Sequence, residues 1–81
     1  MLDDILEYFP EQNFVIATGY DRAIIGVDER SMRLIYSVKK CIKILMLHGL
    51  SYEDAVEHFS YNVSGAYIGE DGPIWCHDDL Y

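Results

Sequence analysis

Residues 1–21 and 44–81 contain no lysine or arginine. All six bases (Arg22, Arg30, Arg33, Lys39, Lys40 and Lys43) fall between them, against 14 acids concentrated on the two flanks, for a net charge of −8. A surface so short of positive charge repels phosphate, which excludes nucleic acid as a direct ligand over most of the molecule. It would instead steer a positively charged partner toward itself. No apolar run approaches the roughly 18–20 residues needed to cross a bilayer. Cys41 and Cys76 are too few for a disulfide scaffold, so free thiols in a reducing compartment are expected. Met1-Leu2-Asp3-Asp4 carries acid where a signal peptide carries base, and a cytoplasmic protein is the expectation. Low hydrophobicity is absent too: 51% of the residues are apolar and seven are tyrosines, which argues against disorder. Eighty-one residues (1–81) make one domain. A chain of this size buries roughly 60–65% of the surface its unfolded form exposes, so its stability margin is narrow.

The hydrophobic pattern divides the chain into seven segments. Leu2, Ile5, Leu6 and Phe9 recur at helical spacing, and Pro10 closes that helix. Residues 13–17 read as a strand, followed by a turn at Gly19. Two β-branched-rich runs, residues 23–27 and 32–36, flank Asp28-Glu29-Arg30-Ser31 and predict a hairpin with a four-residue loop. The period then changes. Ser37 caps a helix running to about His48, with Val38, Cys41, Ile42 and Leu45 on one face. Gly49 stops it, and Ser51 opens another helix with Asp54 completing a capping box. Tyr52, Ala55, Val56, Phe59 and Val63 share the apolar face of this second helix, and Gly65 suits its left-handed terminus. So short a connection makes the two helices an αα-hairpin. Pro73-Ile74-Trp75-Cys76 reads as a final edge strand. The expected class is α+β, in the order α-β-β-β-α-α-β, with an antiparallel sheet packed against a helical hairpin.

Two helix faces carry more than a core requires. Leu47 and Ile44 land among Lys39, Lys40 and Lys43; they either pack under a neighbouring element or form a subunit interface. On the next helix Glu53, Asp54 and Glu57 make the outer face, with Tyr61 among them. A solvated acidic face accounts for this, and so does an acidic patch around an aromatic binding anchor. Asp3, Asp4 and Glu7 form a second acidic face on the first helix.

The ingredients of catalysis do not assemble, and no enzyme, cofactor or metal is expected. Cys76-His77-Asp78-Asp79 sets four metal-ligand types side by side without the paired spacing of a zinc site. Cys41 and His48 lie about two helical turns apart, roughly 10 Å, beyond hydrogen-bond reach. Asp54 and His58 stand at i, i+4 and favour a helix-surface ion pair. The glycines match neither GxGxxG nor a P-loop, although the segment from Gly65 to Gly72 remains a candidate ligand loop.

Gly19-Tyr20-Asp21-Arg22-Ala23-Ile24-Ile25-Gly26-Val27-Asp28, Arg33-Leu34-Ile35-Tyr36-Ser37, Glu53-Asp54-Ala55-Val56-Glu57-His58-Phe59, Tyr61-Asn62-Val63, Gly65-Ala66-Tyr67-Ile68-Gly69 and Pro73-Ile74-Trp75 together resemble a family of short acidic proteins encoded by tailed bacteriophages and mobile elements. The likeness covers residues 19–76, and its most specific stretch runs from Glu53 to Gly69. It implies an origin rather than an activity, and no functional residue comes with it. Small acidic phage proteins often act by stoichiometric binding to a basic host protein, such as a nucleic-acid-binding defence effector. The resemblance therefore implies an inhibitor of the anti-CRISPR kind; the helix faces themselves, not the resemblance, offer Glu53, Asp54, Glu57 and Tyr61 as its binding residues, with Asp3, Asp4 and Glu7 as a second acidic face. A small structural or regulatory homodimer through Ile44 and Leu47 is the alternative.

Overall fold

The computed structural model describes residues 1–67 and 69–80; Ile68, within the candidate ligand loop, and Tyr81 lie outside the described residues. Helix α1 (Leu2–Tyr8) ends at Phe9, immediately before Pro10, and turns Ile5 into the core while Leu2 and Phe9 pack at its margin. Strands β1 (Ile24–Asp28) and β2 (Arg33–Ser37) form the expected antiparallel hairpin. Its loop is closed by Asp28, whose carboxylate accepts hydrogen bonds from the Arg30 N–H at 3.2 Å and the Ser31 hydroxyl at 2.7 Å. One extra residue on β1 between Ile24 and Gly26 makes a bulge, with Ile25 exposed.

Ser37 caps α2 (Val38–Leu47): its hydroxyl accepts the Lys40 N–H at 3.0 Å. At the other end the Gly49 N–H reaches the Met46 carbonyl and the Leu50 N–H reaches the Leu45 carbonyl. This Schellman pattern needs the left-handed backbone that Gly49 adopts at φ +105°. Ser51 then caps α3 (Tyr52–His58) through the Asp54 N–H.

Three expectations need correction. Residues 13–17 form no strand. Their burial alternates as a strand's would, with Phe14 and Ile16 half-buried and Val15 exposed. Yet the segment lies irregularly on the core, with Phe14 and Ile16 packed against it, and the Ala17 N–H donates to the buried Tyr36 hydroxyl at 2.9 Å instead of to a ladder. The element order is therefore α-β-β-α-α-β. Second, the sheet is mixed. Its order is β1-β2-β3, and β3 (Ile74–Cys76) pairs parallel to β2, with Ile35 opposite Ile74 and Ser37 opposite Cys76. Parallel pairing requires a crossover. After α2 and α3 the chain returns to the start of β2, where the Arg33 guanidinium donates to the Glu70 carbonyl at 3.0 Å. Third, the second helix changes pitch: α3 passes into a π-helical stretch, Phe59–Ser64. Gly65 has φ −70° and so makes no left-handed cap; a Cβ there would meet the Ser60 and Tyr61 carbonyl oxygens at 3.1 Å.

The core lies between sheet and helices. Tyr36, Leu34, Val38, Cys41, Leu45, Ala55, Phe59 and Val63 are all buried. Trp75 of β3 fastens the layers together, its ring 5.2 Å from Tyr36 and 5.3 Å from Phe59. The class is α+β. No helix among the described residues is long and apolar enough to cross a membrane.

Candidate protein-binding surface

Glu53 and Asp54 occupy the first turn of α3, where the N-terminal end of the helix favours negative charge. Ala55 and Phe59 anchor the opposite side in the core, which holds the acids outward. Glu57 follows one turn later on the same exposed face. The π-helical stretch then presents Tyr61, 76% exposed. Asp54, Glu57 and Tyr61, together with Leu50, His58 and Asn62, line an open groove of about 460 Å³; Glu53 stands outside it. His58 Nδ1 lies 3.4 Å from Asn62 Nδ2, so its close neighbour is Asn62 rather than the Asp54 that spacing suggested. π-Helical turns are rare and frequent at functional sites. Here one carries Tyr61 into the groove.

Asp3, Asp4 and Glu7 are exposed on α1, but Asp3 lines a different depression, with Asp21 and Arg22. The two acidic faces are separate. Leu47 and Ile44 part company as well: Ile44 packs at the margin of the core, whereas Leu47 is 75% exposed. Leu47 is therefore not covered by a neighbouring element. Tyr52, expected on the inner face, is 57% exposed and joins Leu47, Met46, Ile42, Lys39 and Lys43 around a mainly apolar groove of about 420 Å³.

The nucleophile and metal candidates are otherwise engaged. Cys41 is fully buried, and burial followed by the negative charge of Asp78 pushes its thiol up to about 12, far from thiolate at neutral pH. Asp78 reaches the N-terminus of α2, where its carboxylate accepts the Ser37 hydroxyl and, at 3.0 Å, the Lys39 N–H. The Ser37 hydrogen bond, then that of Lys39, holds this carboxyl below its ordinary range. His77 turns to Asp79 instead, with its Nδ1 3.5 Å from a carboxylate oxygen. Among the described residues no three His, Cys, Asp or Glu side chains converge as a metal site would require. The role of Asp78 escaped the sequence pattern, but a signal existed: the first turn of α2 contains two lysines and no acid. A helix N-terminus so furnished lacks the negative charge its dipole favours.

Comparison with protein-family models, curated proteins and solved structures finds no match for the chain.

Proposed function

We propose that this chain is a non-enzymatic binding protein that engages a basic host protein through the acidic face of α3. Its concrete form is a phage-type inhibitor, in the infected bacterial cytoplasm, of a nucleic-acid-handling defence effector, akin to an anti-CRISPR. The observation that carries this reading is the groove that Asp54 and Glu57 share with the exposed Tyr61 on a π-helical turn. Carboxylates at such a surface accelerate and select the encounter, while a buried aromatic anchor lengthens the stay. Asp3, Asp4 and Glu7 supply a second acidic face on the same molecule. The resemblance to short acidic phage proteins supports the host-directed part.

The test is capture of a partner from bacterial lysate at low and high salt, followed by kinetics with the Tyr61→Ala variant. A basic partner lost at high salt, and released about tenfold faster by Tyr61→Ala, is expected. A partner bound equally well by Tyr61→Ala and by a variant lacking the α3 acids would place the site elsewhere.

A further inference from the structure

We infer that, away from its partner, the chain forms a two-fold dimer in which the basic face of α2 covers the acidic face of α3 in the second copy. The inference rests on the reading of α3 as a docking surface and identifies a second occupant for it. Helices α2 and α3 are joined by residues 48–51 and pack against each other, and so short a connection makes them an antiparallel αα-hairpin. Both turn charge away from their shared core: Lys40 and Lys43 on α2, Glu53 and Glu57 on α3. Leu47 and Tyr52 line one groove with Lys43, so the two helices share a surface beside the connection.

A two-fold axis along the hairpin lays each α2 over the partner copy's α3, and opposite charges then meet twice. An axis across the hairpin would stack each lysine pair on itself. Heights along the helices agree with the first arrangement. At a rise of about 1.5 Å per residue, Lys43, four residues before the end of α2, stands level with Glu57, five residues after the start of α3. Leu47 and Tyr52, the exposed apolar residues flanking the connection, stand level at the upper end. A two-fold interface requires such self-complementarity, each residue and its counterpart exchanging roles.

The experiment is sedimentation equilibrium across a concentration series at low and high salt, for wild type, Lys43→Glu, Glu57→Lys and the double variant. Circular dichroism melting confirms that each is folded. Wild type should approach twice the 9.4 kDa chain mass and dissociate as salt rises. Each single reversal should raise the dissociation constant about tenfold, and the double reversal should restore it, since the pair regains opposite charges. A monomer at every concentration, a dimer indifferent to both reversals, or mass growing without limit would overturn the inference. The Lys43→Glu variant keeps the α3 acids and should still capture a basic host partner. Loss of the dimer thus leaves the host-binding proposal standing, while a dimer without host capture removes that proposal alone.

Discussion

Asp78 shows how one carboxylate can matter more than several. It closes the N-terminus of α2 through the Ser37 hydroxyl and the Lys39 N–H, supplying negative charge where the helix has none of its own. Losing a helix cap typically costs about 0.5–2 kcal/mol. The carboxyl's folded pKa lies below the ordinary 3.8, so its contribution is complete above that value and is lost as pH falls through the lower folded one. Asp28 behaves alike, held down first by the Ser31 hydroxyl and then by the Arg30 N–H. Asp78→Asn should therefore lower the melting temperature at neutral pH and flatten the acid limb of the stability profile. Thermal melts from pH 7 down to pH 2 read both effects; parallel curves for wild type and variant would remove Asp78 from the account.

At the scale of elements, the local devices were legible and the long-range ones were not. Ser37, Gly49 and Ser51 announce their helix ends because a cap involves only its own neighbours. The alternation in residues 13–17 was equally visible, but it marks any segment with one face on a core, and only the Tyr36 hydroxyl decides against a ladder. The direction of β3 depends on where a connection lands, which Arg33 and Glu70 fix across the fold. The pitch change after His58 leaves Phe59 and Val63 inward and Tyr61 outward, whereas Tyr52, expected on the same inner face, is exposed. Phe59 is buried against the Trp75 ring, and Phe→Ala at such a site costs about 3–5 kcal/mol, a large share of a small domain's stability. Phe59→Ala should unfold or nearly unfold the protein, while Tyr61→Ala should leave its melting temperature almost unchanged. Equal shifts in calorimetry would mean the face is wrongly assigned.

For the whole molecule, folding partly mixes the charge blocks of the chain: Arg22 shares a depression with Asp3 and Asp21, and Asp78 sits at the lysine-bearing start of α2. The acids of the candidate site were legible because a helix face follows from spacing alone, whereas Tyr52 beside Leu47 was not, since the groove they share exists only once α2 and α3 have paired. Glu53 and Glu57 are like charges one turn apart on an exposed face, a mild burden on the helix. Replacing both with glutamine should change stability little, since relief of that repulsion is offset by the loss of Glu53 from the helix N-terminus. The same change should slow association with a basic partner severalfold, most at low ionic strength. Stopped-flow association rates measured against salt test this, and an unchanged rate with the fold intact would exclude the α3 acids.

The parallel pairing of β3 also bears on how the chain comes off the ribosome. Strand β2 is the middle of the sheet, yet one of its edges is covered only by residues made some forty positions later. Until Ile74–Cys76 arrive, that edge offers unpaired backbone groups, and Phe59 lacks the indole that covers it. An open edge of this kind is a template for another chain. During that interval a nascent chain is exposed to misassembly with its neighbours, and the same short strand that completes the sheet ends the exposure.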